Sequence, residues 1–320
     1  MYMKKFKTIS EEERKRCIEL FNSYELSPVV EEFAKKFEKT MKRRDMFLWK
    51  WMGATLEYAV TLETVEKKYR KSAIDAKLLL TILDTILDDV ADAHKNKELL
   101  EKMILTILTN IPQSNNPKVK LAHEVWNTIL EIISAFPRYN EFKEVFIFDV
   151  KQMLNTMHYS VLVNTHPKIV NFLESCIYVS HNMICFSMLD IDLMASPSFD
   201  MREFGKFREI VWYAQQMARI GNWITTWKRE LKDRDFTSGV FSFAVSHGII
   251  SAEEIARCQE DEIAKRIEEN KVKEKLLDIW WEYYDKIEEL GKDIYSINIP
   301  NFLRGMRKLL KFHLASEGLK

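Results

Sequence analysis

Three acids close an otherwise apolar run: Asp88, Asp89 and Asp92 end the stretch 78–87. On a helix of about 3.6 residues per turn, Asp88 and Asp92 stand roughly 40° apart on one face, while Asp89 points about 100° away from Asp88. Stacked carboxylates on an apolar helix repel each other and call for a counter-charge. A hard divalent cation supplies one, and Mg²⁺ keeps some waters and takes phosphate oxygens as further ligands. Taken alone, such a cluster also fits a solvated helix end.

A second segment narrows the choice. Asn222, Thr226 and Glu230 recur at i, i+4 and i+8, drifting only about 80° around a helix over two turns. An amide oxygen, a hydroxyl and a carboxylate are all oxygen ligands suited to Mg²⁺. Arg229 lies roughly 20° from Asn222 on that face, and its guanidinium can grip phosphate with two parallel bonds. Together the two segments describe a metal and diphosphate site at the mouth of an apolar cavity.

The elements that must carry these residues are helices. The chain has 320 residues, 47% of them hydrophobic, with only 8 Gly and 7 Pro, so long helices are favoured over many-turned β structure. Ser10 and Glu13 form a capping box opening a first helix, and Ser27-Pro28 caps a second that runs towards Arg44. Helical periodicity then carries the aspartates over 72–93 and the Asn/Thr/Glu segment over 204–232, with further helices at 168–194 and 252–290. Trp49 and Trp51 read as core packing. The expectation is an all-α, single-domain antiparallel bundle over 1–320, with about ten to twelve helices around a deep apolar cavity.

Here the chain resembles a family. Asp88-Asp-Val-Ala-Asp92 is similar to the DDxxD motif of class I terpene synthases, and the segment Asn222–Glu230 is similar to their Asn/Ser(Thr)/Glu triad with its basic residue before the Glu. The order and separation of the motifs match, Arg219 falls on a frequent family position, and the likeness continues through 235–255. The resemblance implies a cytoplasmic terpene cyclase, commonly a homodimer, that acts on a linear prenyl diphosphate with three Mg²⁺ ions. It implies Asp88, Asp89, Asp92, Asn222, Thr226 and Glu230 as the metal-binding set, with Asp89 supporting by hydrogen bonds. It implies Arg229 and Arg219 as diphosphate ligands and Phe312 as an aromatic bordering the cavity. Asp84, one turn before Asp88, either extends the acidic face into the cavity or, the favoured reading, pairs with a neighbouring helix.

Two departures stand out. The family's upstream sensor arginine falls on Cys176, and the Arg-Tyr pair after its last helix falls on Gly318-Leu319. Lys95 and Arg202 are candidates to compensate. His181 and Asn182, near the first gap, are not obvious substitutes.

Composition excludes other classes. Lys+Arg 48 against Asp+Glu 48 leaves net charge +0, without the basic excess of a nucleic-acid binder. The four cysteines, Cys17, Cys176, Cys185 and Cys258, show no metal-binding or disulfide spacing. No secretory signal or membrane span is expected. A chain-elongating prenyl diphosphate synthase would usually carry two aspartate-rich motifs, and a helical binding protein would need no metal. Residues 235–238 read as a loop that, in the resembling family, becomes ordered when diphosphate binds. Limited proteolysis is expected to cut near Asp235 more slowly with Mg²⁺ and diphosphate present, and identical cleavage would count against this.

Overall fold

A computed structural model describes residues 5–93, 96–257 and 259–319. Lys95 and Cys258 lie outside these. Among the described residues there are fifteen α-helices and no strand. They are α1 (Glu11–Ser23), α2 (Pro28–Met41), α3 (Met46–Thr55), α4 (Lys67–Asp88), α5 (Lys97–Thr109), α6 (Pro117–Ser134), α7 (Tyr139–Thr165) and α8 (Phe172–Ile177). There follow α9 (Cys185–Met194), α10 (Phe204–Asp233), α11 (Gly239–Ser246), α12 (Ala252–Arg257), α13 (Glu260–Glu269), α14 (Val272–Leu290) and α15 (Ile299–Ala315).

The count exceeds the expected ten to twelve because two long helical patterns are interrupted. The stretch 168–194 breaks into α8, a 3₁₀ turn at Val179–Met183 and α9, with Ile184 in the left-handed region at φ 47°. The stretch 252–290 breaks twice, and α14 starts after Lys271 at φ 51°. Neither left-handed residue is a glycine, so ordinary sequence punctuation does not mark either break. The second helix also stops at Met41, short of Arg44, because Lys42 turns left-handed at φ 58°.

Elsewhere local chemistry accounts for the boundaries. The Ser10 hydroxyl accepts from Glu13 N while the Glu13 carboxylate accepts from Ser10 N, answering two donors that a helix start leaves open. In α2, Val30, Phe33, Ala34, Phe37 and Met41 form one buried stripe behind the Ser27 cap. In α4, nearly every residue from Leu78 to Leu87 is buried, the signature of a helix enclosed on all sides. It packs between α2 and α6, while α10 packs against α14, α15 and α9. One continuous apolar core runs from Val30 to Leu314.

Below the aspartates, α4 is pinned by a buried charge pair. Lys77 Nζ donates to Asp192 Oδ1 on α9 at 2.6 Å and to Thr61 Oγ1 at 2.7 Å, and Asp192 Oδ2 accepts from Leu62 N at 2.9 Å. Both charged side chains are fully buried. Burial drives the Lys77 pKa down and the Asp192 pKa up, with the partner opposing each shift. Removing one member strands the other charge. Lys77→Met is expected to cost about 3–5 kcal/mol in urea unfolding, and Lys77→Met with Asp192→Leu markedly less.

Candidate active site

The aspartates and the Asn/Thr/Glu segment face one another across the mouth of a single cavity of about 280 Å³. Asp88, Asp89 and Asp92 line it from the end of α4, and Asn222, Thr226, Arg229 and Glu230 line it from α10. Both helices run from the cavity floor to its mouth. Along α10, lining residues extend from Ala214 to Asp233, about 28 Å of helix at 1.5 Å per residue. Below the mouth the walls become mostly apolar, with Met52, Met188, Leu189, Met306 and Leu309 among them.

The end of α4 has local geometry suited to this position. The helix passes at Asp89 into a π-helical turn, Asp89–Ala93, a rare insertion found often at functional sites. Asp88 Oδ1 accepts from Asn182 Nδ2 at 2.8 Å, and Asn182 stands in the 3₁₀ turn before the Ile184 break. Asp89 is buried and turned aside, its Oδ1 accepting from Arg44 Nη2 at 3.1 Å and lying 3.2 Å from Arg43 Nε. Asp92 Oδ1 accepts from Asn164 Nδ2 at 3.1 Å.

The α10 face is held just as closely. The Thr226 hydroxyl lies 2.7 Å from Glu230 Oε1 and 2.9 Å from Asn222 O. Arg219 Nη1 donates to Asn222 Oδ1 at 3.2 Å, so Arg219 also belongs to the site. Just past α10, Asp235 joins the same mouth. Its Oδ1 accepts from Asn164 Nδ2 at 3.3 Å, while Asn164 Oδ1 accepts from Phe236 N at 2.8 Å. A single asparagine on α7 thus ties the aspartate turn to the loop after α10.

Burial dominates the electrostatics. It raises the carboxyl pKa of Asp92, Asp235, Glu230 and Asp84, and neighbouring carboxylates push the same way. Asp235 repels Asp92 and Glu230, and Asp88 repels Asp84, Asp92 and Asp235. Arginine 219 works against the rise at Asp84, Asp92 and Glu230. The oxygens Asp84 Oδ1, Asp89 Oδ2, Asn182 Oδ1 and Glu230 Oε2 are buried with no hydrogen-bond partner among the described residues. Buried acceptors left unanswered are costly, and an all-oxygen set of this kind suits a hard cation. Among the described residues, no three His, Cys, Asp or Glu converge tightly enough to hold an ion by themselves.

Several expectations need correction. Phe312 does not line the cavity. It is buried in a separate small cluster with Phe21, Trp51, Ala54 and Ala315, edge-on to Phe21 at 5.0 Å. The cavity-facing residues of α15 are Phe302, Met306, Leu309 and His313, and Phe312 is offset from that stripe by about 100°. Its neighbour His313 faces inward instead, against Gly221, where an added Cβ would come within 2.9 Å of the imidazole. Trp51 reaches the cavity, while Trp49 packs on Phe37 in the core. Asp84 instead follows the other reading and lines the cavity, its buried Oδ1 without a hydrogen-bond partner among the described residues. Arg202 is exposed and pairs with Asp200, away from the mouth. The cations that do line the mouth besides Arg219 and Arg229 are Arg43 and Arg44.

At its lower end the cavity is closed by Ala59, Val60 and Phe302, which also line a second hollow of about 320 Å³. Ala59 and Val60 belong to the π-helical turn Leu56–Val60 after α3. Gly305 of α15 is pressed on this turn so closely that a Cβ there would collide with the Ala59 carbonyl oxygen.

Comparison with known proteins agrees with this geometry. The family described as "Terpene synthase family 2, C-terminal metal binding" matches residues 78–298, a span that holds both motifs. The fold is similar to that of linalool/nerolidol synthase from Streptomyces clavuligerus in complex with 2-fluorogeranyl diphosphate. That match has TM-score 0.56 at 9% identity and covers 90% of this chain and 98% of that one. A second structure of the same synthase gives TM-score 0.54 at 10% identity, covering 91% and 96%. A sequence search of curated proteins finds no match. No helix among the described residues is long and apolar enough to cross a membrane.

Asn164→Ala removes the donor shared by Asp92 and Asp235 and the acceptor for Phe236 N. It is expected to lower stability by about 1–3 kcal/mol in chemical unfolding and to speed proteolysis near Asp235. Unchanged values for both would show that this link is dispensable.

Proposed function

Because the chain belongs to terpene synthase family 2 and is a class I terpene synthase, we propose that it is a Mg²⁺-dependent cyclase working as one domain. It ionises a linear prenyl diphosphate, cyclises the carbocation and releases diphosphate. The observation that carries this reading is the meeting of two oxygen-rich helical faces over one deep, mostly apolar cavity. That the similar Streptomyces synthase is known with 2-fluorogeranyl diphosphate supports a prenyl diphosphate as the substrate class. We favour a farnesyl or geranylgeranyl chain over geranyl, as in most single-domain microbial members of the family.

Asp88 and Asp92 on one side, and Asn222, Thr226 and Glu230 on the other, are the residues that would hold Mg²⁺. The resemblance puts the number at three ions. When bound, the ions neutralise charge building on the leaving diphosphate. Because no three carboxylates among the described residues converge on one point, the set suits ions that take substrate phosphate oxygens as further ligands. Asp89 is given over to Arg43 and Arg44 and acts as a support.

The chain's own groups do the rest. Arg229 and Arg219 offer guanidinium donors to the departing diphosphate, stabilising charge as it develops. The walls below exclude water from the cation. Trp51 and Phe302 add aromatic surface, whose quadrupole stabilises positive charge without attacking it.

Incubation with Mg²⁺ and farnesyl, geranylgeranyl or geranyl diphosphate, followed by analysis of organic extracts, is expected to show cyclic terpenes. Asp88→Ala or Glu230→Ala is expected to lower the rate by at least about 10²-fold, and chelation to abolish it. Longer diphosphates formed with added isopentenyl diphosphate would identify a chain-elongating synthase instead. Wild-type rates in either variant would overturn the site assignment.

A further inference from the structure

Two cationic positions expected from the resemblance are missing. Cys176 stands at the sensor position, where burial pushes its thiol up to about 11, and it offers no positive charge. Gly318-Leu319 stands where an Arg-Tyr pair is expected. If the cavity mouth receives diphosphate, as proposed above, its charge must be met by other groups.

The connection between α2 and α3 brings two such groups. Lys42 ends α2 in the left-handed region, and Asp45 caps α3 by accepting from Phe47 N at 3.0 Å. The short span between these fixed points carries Arg43 and Arg44, and both line the cavity mouth. Their contact with buried Asp89 holds them there, Arg44 at 3.1 Å and Arg43 at 3.2 Å from the same oxygen. Arg43 also approaches Asp233 at 3.7 Å, at the end of α10.

Arg43 is thus shared between Asp89 and Asp233, while Arg44 reaches Asp89. Moreover, the Nε–H of Arg44 is buried without a hydrogen-bond partner among the described residues, and so are those of Arg219 and Arg229. Three guanidinium groups, one from the α2–α3 connection and two from α10, therefore line one mouth, each with an unanswered buried donor. A buried donor is rarely left unmet, and a guanidinium fork matches phosphate oxygens. Diphosphate presents oxygens in several directions and can meet donors from both sides of the mouth.

We infer that Arg44 is a direct ligand of the substrate diphosphate, supported by Arg43 and positioned by Asp89, and that it replaces the cations missing at Cys176 and Gly318-Leu319. The two sides of the mouth then grip the leaving group together. Asp89 serves as the anchor of this arm.

Calorimetric titration of the full chain with inorganic diphosphate in the presence of Mg²⁺ tests this without turnover. Arg44→Gln is expected to weaken binding by about tenfold or more, with an unchanged near-UV circular dichroism spectrum. Arg44→Lys keeps a charge against Asp89 but loses the fork, and is expected to fold normally and still bind about threefold more weakly or worse. Wild-type affinity in folded Arg44→Gln would overturn the inference. Should Arg44→Gln fail to fold, wild-type affinity in Arg44→Lys would overturn it, because Arg44 would then serve only to neutralise Asp89. An absence of Mg²⁺-dependent diphosphate binding by the wild-type chain would instead remove the proposed function itself.

Discussion

Charge balance at the cavity mouth is the constraint on which the rest of this molecule depends. Asp88, Asp89, Asp92, Glu230 and Asp235 line the same opening as Arg43, Arg44, Arg219 and Arg229. Carboxylates this crowded and this buried resist ionisation, and the upward pKa shifts at Asp92, Glu230 and Asp235 express that resistance. The fold answers with fixed donors placed one by one. Asn182 steadies Asp88, Asn164 joins Asp92 to Asp235, Thr226 braces Glu230, and the arginine pair turns Asp89 aside. Each donor comes from a different element, so the mouth holds together only if the α2–α3 connection, α7, α10 and the turn before α9 are all in place around the end of α4.

The same architecture separates two environments over a short distance. At the top, polar groups stand with unmet bonding capacity. A few turns lower, α4 and α10 present mostly apolar side chains to a hollow. Beneath it, the fully buried Lys77–Asp192 pair is answered by Thr61 and Leu62. A carbocation in the hollow would therefore meet a mostly apolar wall, with Asp84, Cys185, His313 and threonine hydroxyls among its exceptions.

Much of this was legible from helical spacing alone. The five oxygen-bearing residues at i and i+4 in the first motif and i, i+4 and i+8 in the second all line the cavity, and α10 spans nearly the predicted stretch. What spacing could not give is which distant groups arrive opposite them. Asn164 and Asp235 lie in separate elements and meet only through tertiary packing. Arg43 and Arg44 read as the tail of a helix, because nothing marks Lys42 as left-handed. The break at Ile184, which delivers Asn182 to Asp88, is equally silent. Phe312 shows the opposite limit, where a one-residue error in phase exchanges an inward side chain for one packed elsewhere. The stripe Phe302, Met306, Leu309, His313 was the signal that could have set the phase.

The way α15 rests on the turn after α3 bears on how such a chain can diversify. Gly305 sits against the Ala59 carbonyl, so part of the partition beneath the hollow is main chain meeting main chain. Backbone cannot be trimmed by replacing a side chain, and an outgrowth at Gly305 would prise the two helices apart. Of the residues shared with the lower void, Phe302 alone has a large side chain that could shrink and leave the scaffold intact. Descendants of this sequence that take bulkier hydrocarbons would thus have a narrow gate through which to vary, and the remainder of the barrier would be inherited unchanged.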